Sequence, residues 1–295
     1  MKKVLIFVTL LPLVLCAQVR IERPAKKARE NIPYDSTTNY VKEENSRCLV
    51  GQKMQVLPLR ESSRRYGYND IAKGSNPPTF LSKKVEYNDL LGKVLACTGS
   101  FVDDTFGSDR YYLELKDDSN GDIYCYHYPC YEGSFYFLVL GYKEKFEREY
   151  RGKTFVFKGA SIFIYDFNTG EKSVAEPQDK FVFQEMIFNS EKYELGYLFT
   201  DEKSHLYCFD DFDIKHKLIN KDKVDELISL YGERAVSAGL EGRYYVGMPV
   251  ELLELSWGKP DTINRTSYNK QYVYKLSRGR IRCFYVENGK VTAWN

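Results

Sequence analysis

Between Val85 and His216, short apolar runs with a period near two are separated by turn residues, the pattern of antiparallel strands. Candidate strands cover Lys93–Phe101, Tyr111–Lys116, Ile123–Tyr128, Ser134–Tyr142, Lys153–Tyr165, Phe181–Phe188, Leu195–Phe199 and Leu206–Phe209. Asn120-Gly121 favours a tight hairpin, and Lys143–Tyr150 (KEKFEREY) predicts a brief charged helix or turn. Upstream, Leu49–Leu59 reads as a strand and the stretch from Arg60 to Pro78 as a loop. After Lys217 the period changes. Val224, Leu227, Ile228 and Tyr231 recur at helical spacing within Lys223–Ala238, and Gly239 and Gly242 end that helix. A second helix is expected over Met248–Ser256, with Pro249 in its first turn. Strands follow at Tyr272–Leu276, Arg280–Val286 and Val291–Trp294, the last two joined by an Asn288-Gly289 turn.

Three short segments share a pattern: Val50-Gly51-Gln52-Lys53-Met54, Leu91-Gly92-Lys93-Val94-Leu95 and Arg151-Gly152-Lys153-Thr154-Phe155. Each puts Gly and a polar residue ahead of a strand. Repeated small barrels or shared turn chemistry both produce this.

The amino terminus is different again. Lys2 and Lys3 precede the apolar run Val4–Leu15, which is too short to cross a bilayer, a task needing roughly 20 residues. The pattern predicts a secretory signal peptide over residues 1–17, cut after Ala17. A lipid anchor on Cys16 is the competing reading, weakened because Leu15 stands where lipoproteins carry Gly, Ala or Ser. A retained segment is the third. Residues 18–44 hold no periodicity and read as a tail or linker.

The chain of 295 residues has 43 Lys+Arg against 41 Asp+Glu, and loss of Lys2 and Lys3 with the leader brings the two into balance. That excludes a general nucleic-acid binder, which needs a basic surplus. Aromatics reach 15%, in keeping with β structure. With three His in the whole chain, His-dependent chemistry has few candidates. Cys48, Cys97, Cys125, Cys130, Cys208 and Cys283 would meet an oxidising compartment if exported, where bridges and buried thiols are both open.

The most conspicuous chemistry-bearing stretch is Tyr124–Tyr131 (YCYHYPCY). On a strand, Tyr124, Tyr126 and Tyr128 share one face and Cys125 and His127 the other. The tyrosine row is either cross-strand packing or a stacking platform for a glycan or peptide. Cys125, His127 and Cys130 are too close along a strand to make a zinc tetrahedron unless Cys97 or His205 joins them. The acidic runs Asp117–Asp122 and Asp210–Asp213 lack the order of a calcium loop and read as solvated turns. No hydrolase, nucleotide or zinc-protease fingerprint is present, so no cofactor, metal or catalytic residue is expected.

The carboxy-terminal quarter carries a specific series of motifs: Val246-Gly247-Met248, Ser256-Trp257-Gly258-Lys259-Pro260-Asp261, Ile263-Asn264-Arg265-Thr266, Gln271-Tyr272-Val273-Tyr274, and Phe284-Tyr285-Val286-Glu287-Asn288-Gly289-Lys290-Val291-Thr292-Ala293. In order and spacing they resemble the small BamE-type (SmpA/OmlA) envelope lipoprotein domains and the related β-lactamase-inhibitor-protein fold. That resemblance implies a helix–loop–helix packed on an antiparallel sheet, and a non-enzymatic module that binds other proteins. Pro249 departs from it, since Ser or Thr usually follows Gly-Met there to cap the helix. Gly247, Met248, Trp257, Gly258, Pro260, Asn288 and Gly289 are expected to be structural.

The sequence therefore predicts an α+β chain. A β-rich antiparallel barrel or sandwich, or two small barrels, spans residues 45–216, and a BamE-like helix–loop–helix with an antiparallel sheet spans 217–295. The function expected is that of an exported, periplasmic or secreted envelope protein that binds another envelope or extracellular protein. A glycan- or peptide-binding module using the tyrosine strand is the alternative, and a hydrolase the third reading.

Overall fold

The computed structural model describes residues 33–79, 84–105, 107–190, 192–265 and 269–295. The signal peptide expected over residues 1–17, Cys16 included, and residues 18–32 lie outside that set. Mixed helix and antiparallel sheet is the fold class observed. The first sheet is a curled half-barrel of seven strands: β1 (Lys53–Val56), β2 (Tyr68–Lys73), β3 (Lys84–Val85), β4 (Val94–Asp103), β5 (Arg110–Asp117), β6 (Ile123–His127) and β7 (Phe137–Val139). Their order is β3-β2-β6-β5-β4-β1-β7. Two one-turn helices, α1 (Glu61–Arg64) and α2 (Tyr87–Leu90), sit in its connections, and α3 (Leu140–Tyr150) leads out of it.

The second sheet opens with β8 (Thr154–Phe157). A separate hairpin, β9 (Ile162–Tyr165) and β10 (Lys172–Ala175), then precedes β11 (Lys180–Asn189), β12 (Glu194–Thr200) and β13 (Leu206–Asp210). After α4 (Asp211–His216), β14 (Leu218–Asn220) completes the order β13-β12-β11-β8-β14. β14 pairs with β8, and the helices and meander of the carboxy-terminal unit follow it. That unit comprises α5 (Lys221–Tyr231), α6 (Glu233–Leu240), α7 (Val250–Trp257) and the meander β15 (Thr262–Arg265), β16 (Lys270–Lys275), β17 (Ile281–Glu287) and β18 (Lys290–Trp294).

Several expected elements change shape. Leu49 closes a 3-10 helix over Glu43–Leu49, so β1 is shorter than the apolar run that contains it. Lys153–Tyr165 is two strands, not one, because the Lys158–Ser161 segment turns. Ser134–Tyr142 yields only the short β7 before α3 takes over. β2 falls in the stretch read as a loop: its apolar residues Tyr68, Ile71 and Ala72 do not alternate, and the strand is irregular between Tyr68 and Ala72. The single helix expected over Lys223–Ala238 is two, split where Gly232 takes φ 82°.

The described part of the expected tail, residues 33–44, packs on the first sheet. Asn39 explains why. Its side-chain amide donates to the Phe137 carbonyl at 2.8 Å, and its Oδ1 accepts the Val139 N–H at 2.8 Å. One side chain thereby satisfies the outer backbone edge of β7, as a further strand would.

The repeated Gly motif is turn chemistry. At each site a helix ends, the next residue is extended, and Gly51, Gly92 or Gly152 takes φ between 73° and 90° before β1, β4 or β8. The residue after each glycine donates back three places, as Gln52 to Leu49, Lys93 to Leu90 and Lys153 to Tyr150, at 2.9–3.0 Å. This is the type II geometry that positive φ reserves for glycine. The glycine N–H groups donate across the sheet, to Cys97, Val56 and Phe183 carbonyls, and so register each strand against its neighbour.

Helix α3 unites the two large sheets. Tyr142, Phe146 and Tyr150 follow one another at four-residue spacing and share a face. Phe146 lies 5.0 Å from Tyr197 and 5.2 Å from Phe183, and Tyr150 lies 5.5 Å from Phe155, ring centre to ring centre. Both sheets thus share one aromatic core. The carboxy-terminal unit is built on a second core cluster, which Val156 of β8 and Ile219 of β14 join, and polar contacts reinforce that join. Gly159 N–H donates to the Leu240 carbonyl at 2.6 Å, Lys158 Nζ to the Leu255 carbonyl at 3.0 Å, and Gln178 Nε2 to Ser237 Oγ at 3.0 Å. Lys158 meets the last turn of α7, where a cation is favoured.

The acidic turn before β6 shows how the surface charge is used. Asp117, 2% exposed, accepts from Lys93 Nζ at 2.7 Å and from the Ser119 backbone at 2.9 Å. Asp122 accepts from Lys73 at 2.8 Å and from Asn120 at 3.0 Å. The Lys93 ammonium and the Ser119 donors hold the Asp117 carboxyl at about 2, below its ordinary range. A carboxyl lowered on folding adds stability above its unfolded value near 4, and this is lost as pH falls towards 2. Asp117→Asn is therefore expected to lower Tm at pH 7, with the gap from wild type closing between pH 4 and pH 2 in a series of thermal melts.

Candidate functional site

The motif-bearing unit is built around Trp257, the last residue of α7. Its indole meets Phe284, Tyr274 and Tyr244 edge to face, with ring centres 5.2–5.7 Å apart. Gly258 then takes φ 77°, and its carbonyl accepts the Tyr274 hydroxyl at 3.0 Å. Pro260 follows, half-buried, as the chain turns into β15. At the other end of α7, Gly247 N–H donates to Val291 O at 2.7 Å, Val291 N–H to Met248 O at 2.8 Å, and Val250 N–H to Gly289 O at 2.9 Å. The helix start is thus sewn to the β17–β18 hairpin. Asn288 (φ 49°) and Gly289 (φ 75°) make the turn with both central residues left-handed. Pro249 supplies no side-chain cap; its carbonyl accepts the Leu252 N–H at 3.0 Å. Met248 is fully buried.

This packing consumes one face of the four-stranded sheet. Tyr272, Tyr274, Phe284, Val286 and Val291 point into the core beneath the helices. The other face carries Asn264, Gln271, Val273, Cys283, Tyr285 and Ala293, and none of these joins a core cluster among the described residues. Across it runs a polar ladder over three strands. Asn264 Nδ2 donates to Gln271 Oε1 at 2.9 Å, and Gln271 Nε2 donates to the Tyr285 hydroxyl at 3.3 Å. Ile281, 57% exposed, extends the apolar part of the face. The outer strand β15 is exposed along its whole length, and Arg265, Lys270, Lys275, Arg278 and Arg280 stand exposed around the rim. Such a surface offers hydrogen bonds, a ring and a basic border.

The tyrosine row lies elsewhere and is core. Tyr124, Tyr126 and Tyr128 are 3%, 0% and 1% exposed, so none presents a ring face to solvent. Tyr126 packs on Phe137 at 5.0 Å, and Tyr128 stacks on Tyr40 at 5.7 Å and donates to the Val41 carbonyl at 2.9 Å. This corrects the platform expectation: the apolar side of β6 is the inner side of the curl. Burial pushes the Cys125 thiol up to about 11 and the Cys97 thiol up to about 12, which leaves both protonated and inert. Cys130 is exposed, His127 leans on Tyr112 at 5.1 Å, and His205 pairs with Asp201 at 3.0 Å in the turn between β12 and β13. All six cysteines described are free thiols, and no three His, Cys, Asp or Glu side chains among the described residues are placed to hold a metal. In the second acidic run, Asp210 caps α4 by accepting the Asp213 N–H at 2.9 Å, and Asp211 pairs with Lys215.

No helix among the described residues is long and apolar enough to cross a membrane. Comparison with protein-family models, curated proteins and solved structures finds no match to the chain.

Trp257 and Trp294 are the two tryptophans of the chain, and both lie in the carboxy-terminal unit. Trp257→Ala should cost this unit about 3 kcal/mol, at the lower end of large aromatic truncations because the indole is half-buried. Urea unfolding followed by the remaining Trp294 emission reads this directly, and Trp257→Phe should recover more than half of the loss.

Proposed function

We propose that the chain is an exported, non-enzymatic protein that acts by holding another protein on the open face of its carboxy-terminal sheet. One observation carries the reading. The helices cover a single side of the meander, while the opposite side presents the Asn264–Gln271–Tyr285 ladder beside Val273 and Ile281. A tyrosine flanked by adaptable amides and ringed by arginine and lysine has the composition of a protein contact surface. The basic rim favours a partner whose contact surface is acidic. The resemblance of the Gly-Met, Trp-Gly-Lys-Pro and Glu-Asn-Gly-Lys motifs to BamE-type and β-lactamase-inhibitor-like modules supports the same reading, as does the leader-like run Val4–Leu15 for export to the envelope.

A photo-crosslinking amino acid placed at Tyr285 tests this in the organism's own envelope fraction. Crosslinking from Tyr285 to one protein is expected, with none from the same probe at Leu230, which is 64% exposed on α5. Equal crosslinking from both positions, or none from Tyr285, would contradict the proposal.

A further inference from the structure

A second site lies where the two large sheets meet. A cavity of about 380 Å³ is walled by Tyr40, Leu57, Phe135, Phe188 and Tyr193, with Glu132, Glu194 and Asp211 at its polar side. A neighbouring cavity of about 320 Å³ shares Leu57, Phe135, Phe188 and Tyr193 with it and continues to Arg60, Tyr66 and Tyr136. The two adjoin along these shared residues and together make a groove.

The hydrogen bonding of the first cavity has a direction. Tyr142 and Tyr197, both buried, place their hydroxyl oxygens 2.7 Å apart, and the Tyr197 hydroxyl is 3.3 Å from Asp211 Oδ1. A carboxylate can only accept, so Tyr197 donates to Asp211 and Tyr142 donates to Tyr197. The Tyr142 oxygen is left as an acceptor. Burial pushes both hydroxyls up, so the chain stays protonated and keeps this polarity. Glu132 has no ion pair among the described residues. Glu194 reaches Lys192 only at 3.8 Å, and burial together with Asp210 and Asp213 raises its pKa. Among the described residues lining the first cavity the one cation, Lys215, is held by Asp211, and Arg60 lines the second. Acceptors and negative charge thus outnumber donors at a site walled by aromatic rings.

Tyr193 stands where the two halves join. It adopts φ 58°, unfavourable for a residue with a side chain, and is held there by its ring against Phe188 at 6.3 Å and by Arg64 Nη2, which donates to its hydroxyl at 3.2 Å. A strained, doubly restrained aromatic at the mouth of a groove is a preformed wall for a ligand.

We infer that this groove binds an extended peptide, seating a lysine or arginine side chain among Glu132, Glu194 and the rings of Tyr40 and Phe135, with an apolar residue beyond Tyr193. The carboxylates supply charge pairing and the rings a cation–π contact. The site is separate from the open sheet face and stands without it.

Calorimetry on the full chain tests the assignment with two blocked hexapeptides, one alternating leucine with lysine and the other alternating leucine with glutamate. The lysine peptide should bind at least tenfold tighter. Glu132→Gln combined with Glu194→Gln should weaken it about tenfold, and Tyr193→Ala should weaken it likewise. The remote pair Asp118→Asn and Glu171→Gln, which removes the same charge, should leave it unchanged, as should Tyr285→Ala. Equal affinities or no heat for either peptide would overturn the inference, as would equal losses in the groove and remote variants.

Discussion

A sheet of four strands must hide at least one face from water, and here a short helical layer is what hides it. Trp257 is the pivot: it ends α7, fills the space between Tyr244, Tyr274 and Phe284, and hands the chain to Gly258 so that β15 can begin. The start of the same helix is tied by three backbone hydrogen bonds to the turn between the last two strands. Helix and hairpin are therefore positioned together, and the meander is left with its other face uncovered. The placement of Asn264, Gln271 and Tyr285 follows from strand register once that side is fixed.

The two larger sheets obey a related constraint at larger scale. Their apolar faces would each leave a side open, and α3 joins them by setting Tyr142, Phe146 and Tyr150 between them. The join is not flush. Where the Tyr142–Tyr197–Asp211 chain replaces apolar contact, a groove remains. The polar rivets at Lys158, Gly159 and Gln178 then attach the carboxy-terminal unit to the second sheet, so its open face is carried on a firm base.

Much of the strand content was legible in the sequence because β4, β5, β6 and β11–β13 alternate or run apolar between clear turn residues. β2 was not, since Tyr68, Ile71 and Ala72 break the alternation across an irregularity. The Gly232 break was hidden because Val224, Leu227, Ile228 and Tyr231 keep helical spacing up to it. The packing role of residues 33–44 rests on one asparagine side chain imitating a strand edge, which no periodicity reveals. The tyrosine row had the right face but the wrong surroundings, because a single strand does not say which side of a curled sheet is concave. The groove joins residues from five separate segments, represented by Tyr40, Leu57, Phe135, Tyr193 and Asp211, and leaves no local trace.

The most direct measurement is the affinity of the full-length chain for the partner recovered at Tyr285, compared with a Gln271→Ala, Tyr285→Ala variant of unchanged melting temperature. A loss of at least tenfold is expected if the ladder is the centre of the contact, as proposed. An unchanged affinity would contradict it and would move the binding surface off the sheet.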